Sequence, residues 1–322
     1  MSPPLLKVEA ISKSFPLRAG VLGRVKHHLQ AVDQISLTVE ANQTLGLVGE
    51  SGSGKSTLAR LILHLIQPTA GKVWFEGQPL HDISYKERLR RRKGLQMIFQ
   101  DPLDSLNARW TIGQLVAEPL LIEKGHSRQK IDYEVDQALE RVGLPSQNKH
   151  RYPHELSGGQ RQRVGIARAL IMGPRLILAD EPVSALDVSV QAQILNLLQE
   201  LQADMGVSFL FIAHDIHVIR FMSDRIAVMY MGKIVEIGSQ EEVTNNPKHP
   251  YTVGLWASVP SLDPQPQEVQ VIKGEIPSLI HIPMGCAFHP RCPVAQESCK
   301  SFTPVLQNIA EDHQVACPVA VV

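Results

Sequence analysis

Apolar and polar positions alternate loosely from Leu5 to Phe15 and again from Ile35 to Val39, which predicts two strands. The stretch between them, Leu17 to Gln30, carries Arg18, Arg24, Lys26, His27 and His28. It reads as a solvated loop, with contact to lipid head groups or a membrane partner as the functional alternative. An apolar run, Leu45 to Val48, then leads through a glycine-rich turn into a helix-like stretch, Leu58 to Ile66. Val73 to Phe75 and Leu95 to Phe99 predict further strands around a basic, helix-prone segment, Tyr85 to Lys93. Two consecutive helices follow, Ile112 to Lys124 and Ile131 to Val142; in the second, Ile131, Val135, Ala138, Leu139 and Val142 share one face. Arg161 to Ile171 and the striped segment Val190 to Leu201 predict helices. Leu176 to Glu181, Phe209 to Ala213, Arg225 to Tyr230 and Lys233 to Ile237 predict strands, the first two apolar enough to be buried on both faces. Two helices inserted into an alternating α/β pattern predict a helical subdomain.

Composition narrows this picture only slightly. Lys+Arg and Asp+Glu both total 32, and this balance argues against nucleic acid as the main partner. Arg168, Arg175 and Asp180 interrupt the most hydrophobic region, so no apolar run reaches membrane-spanning length. Met1-Ser2-Pro3-Pro4 lacks the basic-then-apolar pattern of a secretory signal, and the chain reads as soluble and cytosolic.

The chemistry concentrates at Gly49-Glu50-Ser51-Gly52-Ser53-Gly54-Lys55-Ser56-Thr57, a phosphate-loop pattern lying between a strand and a helix, the context it requires. Glycines let backbone N–H groups converge on phosphate oxygens, and the following helix aims its N-terminal dipole at the same anion. Lys55 is expected to reach the β- and γ-phosphates and Ser56 to hold Mg²⁺. Asp180 and Glu181 end an apolar strand, which places one carboxylate for Mg²⁺ and the other to polarise an attacking water. His214 repeats that placement and is a candidate donor to a γ-phosphate oxygen. Leu156-Ser157-Gly158-Gly159-Gln160 forms a second anion site of the same physical kind, with Ser157 as cap. Phe15 is a candidate to stack on a nucleotide base or to lie in the core.

In this order, Phe15, the phosphate loop, Gln100, Leu156 to Gln160, Asp180-Glu181, Ser184-Ala185-Leu186-Asp187 and His214 resemble the ATP-binding-cassette ATPases. The form of the phosphate loop from Gly46, Arg151-Tyr152-Pro153-His154-Glu155, His249-Pro250-Tyr251-Thr252, Gly285-Cys286 and Pro290-Arg291-Cys292-Pro293 narrow the resemblance to dipeptide/oligopeptide importer ATPases. The resemblance implies an α/β fold: a phosphate-loop ABC-type domain with a RecA-like core, an antiparallel β subdomain, an inserted helical signature subdomain and an irregular Cys-containing C-terminal extension. It implies an ATPase domain over residues 1–258, with the helical subdomain at about 101–173, and the extension over 259–322.

The resemblance also implies a division of roles. ATP on residues 49–57 of one subunit is closed over by Ser157, Gly158, Gly159 and Gln160 of another. Glu181 aligns the water, His214 and Lys55 counter developing charge, and Ser56, Asp180 and Gln100 serve Mg²⁺. Gln100 also senses the γ-phosphate and transmits closure. Implied partners are a second, paralogous ATPase, two transmembrane permease subunits and an extracytoplasmic solute-binding protein, with the chain on the cytoplasmic face of the inner or plasma membrane. Di- or oligopeptides are the expected cargo. Nickel chelates, glutathione or another small solute are alternatives, as is a soluble DNA-repair-type ATPase. Lastly, Cys286, Cys292, Cys299 and Cys317 follow a C-x5-C-x6-C-x17-C spacing that lacks the close Cys pair usual for zinc. The resemblance favours a [4Fe–4S] cluster held by all four, with Zn²⁺ or free thiols as alternatives. Prolines such as Pro277, Pro283, Pro290, Pro293 and Pro304 predict an irregular, non-helical tail.

Overall fold

A computed structural model describes residues 3–19, 24–101, 106–123, 125–258, 272, 274–275 and 277–320, excepting the side chains of residues 18, 19 and 24. The expected start of the C-terminal extension at 259, with Pro260, Pro264 and Pro266, lies outside the described residues, as does Lys124.

Two sheets form the frame. The smaller is antiparallel, in the order β2-β1-β4-β5: β1 (Leu6–Ala19), β2 (Arg24–Val39), β4 (Ala70–Phe75) and β5 (Gln78–Pro79). The larger runs β11-β12-β10-β9-β3-β8-β7-β6. It is built from β3 (Thr44–Val48), β6 (Leu95–Ile98), β7 (Leu176–Asp180), β8 (Ser208–Ile212), β9 (Arg225–Tyr230), β10 (Lys233–Ser239), β11 (Gln307–Ala310) and β12 (His313–Val315). Its centre is parallel, β9-β3-β8-β7-β6, and β10, β12 and β11 add antiparallel strands at one edge.

The central strands are buried on both faces, as their unbroken apolar runs require. Along β7, Ile177 and Ala179 face one core while Leu176 and Leu178 face the other. One core joins the sheet to α1 (Lys55–Ile62) and the antiparallel sheet. The other joins it to α3 (Ile112–Glu123), α4 (Arg128–Arg141), α5 (Gly158–Leu170) and α6 (Val188–Met205). The short α2 (Tyr85–Arg91), α7 (Ile216–Met222), α8 (Gln240–Asn245) and α9 (Pro250–Ala257) complete the described helices. Each fully buried Leu, Ile or Phe of these cores stabilises the fold by about 1.5–3 kcal/mol.

Two sequence expectations change. The described residues between Leu17 and Gln30, 17–19 and 24–30, are not loop: β1 and β2 pair through them, with Phe15 opposite Leu29 and Leu17 opposite His27. Residues 25–28 are exposed, so this part has little apolar face to bury and carries no alternating signal. The tail is irregular as expected through residues 277–306, with 3₁₀ turns at His289–Arg291 and Glu297–Lys300, but β11 and β12 then extend the main sheet.

Candidate functional site

Parallel register brings the ends of β3, β6, β7 and β8 to one edge. Val48 of β3 aligns with Val228 of β9, Asp180 of β7 with Ile212 of β8, and Ile98 of β6 with Ala179 of β7. The residues that follow these ends, Gly49, Glu181, His214 and Gln100, therefore gather where open α/β sheets place their chemistry.

The phosphate loop turns tightly against its neighbours. A Cβ on Gly49 would lie 2.1 Å from the Met229 carbonyl oxygen, and one on Gly54 2.2 Å from that of Ala31. Gly54 also has φ +107° and begins α1 with no side-chain cap, which leaves the first-turn N–H groups to serve an anion. The buried Lys55 folds onto the loop: its Nζ donates to the carbonyls of Gly49 (2.7 Å) and Glu50 (3.0 Å) and to Ser53 Oγ (3.4 Å). Burial lowers its pKa, and the carboxylates of Glu181, Asp180 and Glu50 oppose that shift. Ser51 and Gly52 are exposed at the tip, and Thr57 is half-buried.

Ser56 Oγ donates to Asp180 Oδ1 at 3.0 Å. Burial raises the Asp180 pKa, and this hydrogen bond works against it. The pair is a set of hard oxygen donors of the kind Mg²⁺ takes. Glu181 has φ 47°, the left-handed region that a non-glycine residue enters at a cost of about 1–3 kcal/mol and that clusters at functional sites. Its N–H donates to the Ile212 carbonyl at 2.9 Å, which ties the strained residue to β8. One carboxylate oxygen, Oε2, accepts from Gln100 Nε2 at 3.0 Å and lies 3.1 Å from His214 Nδ1.

The expected residues therefore divide. Lys55, Ser56, Asp180, Glu181, Gln100 and His214 come together around the loop. Ser157 and Gln160 instead bond each other in a capping box at the start of α5: Ser157 Oγ accepts from Gln160 N (3.3 Å), and Gln160 Oε1 from Ser157 N (3.1 Å). A Cβ on Gly159 would meet Val190 Cγ1 at 2.5 Å, so α6 lies close against the glycines. Phe15 is half-buried, with the Lys13 ammonium 5.1 Å from its ring centre. Asp187 caps α6 by accepting from Val190 N and Ser189 Oγ.

Three contacts to the loop had no signal in the spacing. Arg291 forks onto the Glu50 carboxylate (2.8 and 2.9 Å), and the Tyr251 hydroxyl accepts from Glu50 N (2.8 Å). Tyr230, Tyr251 and Phe288 pack edge-on or tilted against one another beside them, with ring centres 4.7–5.5 Å apart. Tyr251 and Arg291 stand in motifs that carried the family resemblance, but nothing local in the sequence pointed them at the loop.

The iron–sulfur expectation is corrected. Among the described residues, no group of three or more His, Cys, Asp or Glu is arranged to hold a metal ion. All four cysteines are free; Cys286, Cys299 and Cys317 are buried and Cys292 is half-buried. Burial raises the pKa of Cys286 and Cys292. Cys286 and Cys299 belong to the same core as Phe288 and behave as small apolar side chains. The same finding gives no support to the Zn²⁺ alternative.

Loop, carboxylate pair, glutamine and histidine at one sheet edge define a phosphate-loop nucleoside-triphosphate hydrolase. Comparison with known proteins makes the class specific. Residues 32–184 match the ABC transporter family, and residues 235–299 match the oligopeptide/dipeptide transporter C-terminal region. The chain is 46% identical to the oligopeptide transport ATP-binding protein AppF of Bacillus subtilis, over 97% of this chain and 96% of that protein. It is 50% identical to OppF of Salmonella typhimurium, over 90% and 87% respectively. Among solved structures, the ADP- and phosphate-bound dimer of the ATP-binding cassette MJ0796 superposes with TM-score 0.65 at 29% identity, covering 73% of this chain and 98% of that one. The chain thus belongs to the ABC transporter ATP-binding proteins of the oligopeptide/dipeptide type, and it is an ATPase of that class. The DNA-repair, nickel, glutathione and other small-solute alternatives are not favoured by these comparisons. Among the described residues no helix is long and apolar enough to cross a membrane.

Proposed function

We propose that this chain hydrolyses ATP to drive import of di- or oligopeptides through a membrane transporter, acting as a peripheral subunit on the cytoplasmic face. Relatives that carry peptide-transport names along nearly their whole length support the cargo class. The observation that carries the mechanism is the Glu181 carboxylate, fixed between Gln100 and His214 beside the Ser56–Asp180 pair.

On this reading ATP lies along residues 49–57, with its phosphates on the loop N–H groups and the N-terminus of α1. Ser56 and Asp180, with Gln100, would hold Mg²⁺, which supplies charge neutralisation to the phosphates. Lys55 leaves its carbonyl partners for the phosphate oxygens. Glu181 accepts a proton from the attacking water, and His214, already at its carboxylate, steadies charge on the γ-phosphoryl group. Ser157, Gly158 and Gly159 of a second ATPase subunit close over the triphosphate and exclude water. Gln100 passes closure to one of two permease subunits, and an extracytoplasmic binding protein delivers the peptide. An ATPase unit over residues 1–258 and an extension over 259–322 fit this reading; the C-terminal family match begins earlier, at residue 235.

The test is Glu181→Gln in the assembled, reconstituted transporter. Phosphate release should fall by at least about 10²-fold, the scale of a lost general base, while ATP binding persists. Hydrolysis at the unaltered rate would remove Glu181 from the role given to it.

A further inference from the structure

We infer that Arg291, from the C-terminal segment, is a positioning residue of the nucleotide site: it neutralises the Glu50 carboxylate inside the phosphate loop so that a triphosphate can bind there. The inference rests on the reading of residues 49–57 as the ATP cradle.

Glu50 is an awkward residue for such a cradle. It follows Gly49 directly, and its carbonyl is within 3.0 Å of the Lys55 ammonium that is to meet the phosphates. A bare carboxylate at that place would repel a triphosphate, and in a partly buried setting water and salt screen the repulsion poorly. Arg291 answers it with the geometry a guanidinium offers: two N–H groups, one to each carboxylate oxygen, at 2.8 and 2.9 Å. The Arg291 side chain is only 6% exposed, its carbon Cζ lies 5.9 Å from the Tyr230 ring centre, and Nη1 also reaches the Tyr230 hydroxyl at 3.4 Å. A guanidinium so enclosed is held against the Glu50 carboxylate.

The partnership spans 241 positions of sequence. Tyr251 adds a second hold from the same side, accepting from Glu50 N. The loop residue is thus gripped at its backbone by α9 and at its carboxylate by the 3₁₀ turn His289–Arg291. The segment that sets this family apart from a bare ATPase cassette therefore contributes to the charge seen by the nucleotide, in the same subunit.

Equilibrium titration of the purified full-length chain with ATP and with ADP, in Mg²⁺ buffer, tests this without measuring turnover. One uncompensated carboxylate beside the phosphates, at an effective dielectric near 20, weakens binding on the order of tenfold. Arg291→Gln should lose about that factor for ATP and clearly less for ADP. Glu50→Gln combined with Arg291→Gln should recover ATP affinity to within about threefold of wild type, because no bare carboxylate remains. A purely structural Arg291 gives a different pattern: a double variant as weak as the single one, with ATP and ADP affected alike. That pattern, or an Arg291→Gln chain that binds ATP as wild type does, overturns the proposal. If Arg291→Gln does not fold, Arg291→Lys, which keeps the charge but not the fork, carries the test: affinity within about threefold, or a larger loss that Glu50→Gln reverses, supports the role, and a larger loss that Glu50→Gln leaves in place refutes it. Wild-type chain that fails to bind ATP sinks the nucleotide reading itself, an outcome separate from wild-type binding with indifferent variants.

Discussion

His249 shows how much one side chain can carry in this fold. It is buried, caps α9 by accepting from Tyr251 N through Nδ1 at 3.1 Å, and lies 5.7 Å from the Phe288 ring centre. Burial pushes its pKa from 6.5 down to about 4, against a smaller upward pull from Glu236. The sign follows directly: the fold favours the neutral ring, so the unfolded chain binds the extra proton between these two values. Stability is fully present above about pH 6.5 and is lost as pH falls towards 4, by roughly 3 kcal/mol at the limit. His249→Asn keeps an acceptor at the cap but does not titrate. Urea midpoints across that range should fall more steeply for wild type than for the variant, and parallel curves would show that His249 does not carry the effect. The same residue marks a limit of reading sequence. His249-Pro250-Tyr251-Thr252 was visible as a motif, and its cap is local, yet it packs against Tyr230 and Phe288 and reaches Glu50, all from elsewhere in the chain.

Among the elements, those legible in advance were those whose signal is local. The strand, glycine turn and helix around Lys55 follow from steric and dipole arguments within one short stretch. β7 and β8 announce themselves by unbroken apolar runs, and the start of α5 by Ser157 as its cap. What was not legible is tertiary: Glu181 is joined to Gln100 across 81 positions and to His214 across 33. The outer arm of β1 and β2 escaped because exposed paired strands need no apolar period. α7 escaped because it is only seven residues long and depends on its cap. Asp215 Oδ1 accepts from the N–H groups of His217 (2.8 Å) and Val218 (3.4 Å) and starts that helix directly after His214. Asp215→Ala should therefore lower unfolding free energy by about 0.5–2 kcal/mol, the usual worth of an N-cap. Denaturant titration reads that loss, and ATP affinity at the loop should not change. Unaltered stability would show that packing of Val218, Ile219 and Met222 alone holds α7.

For the molecule as a whole, the C-terminal segment is a working part of the ATPase frame. β12 pairs with β10, so the last strands complete the main sheet. Beneath that joint lies Glu236, fully buried, whose carboxylate accepts from Lys248 N (2.8 Å), His249 N (2.9 Å) and His313 Nε2 (2.7 Å). His313 is itself 1% exposed, and its other nitrogen lies 3.5 Å from Glu242. One network thus ties β10, the start of α9, α8 and the C-terminal strand together, and α9 and Arg291 in turn hold the phosphate loop. Removing one partner of a buried hydrogen bond leaves the other unsatisfied, at about 1–3 kcal/mol. His313→Leu should lose that much, and adding Glu236→Gln should restore part of it, because an amide oxygen still accepts from the two backbone N–H groups. Calorimetry should record one unfolding transition, shifted down as a unit, because sheet and tail share a core through Phe288, Cys286 and Cys299. A separate low-temperature transition for the tail, with the ATPase transition unmoved, would mean that the two parts fold independently and that the network only decorates their contact.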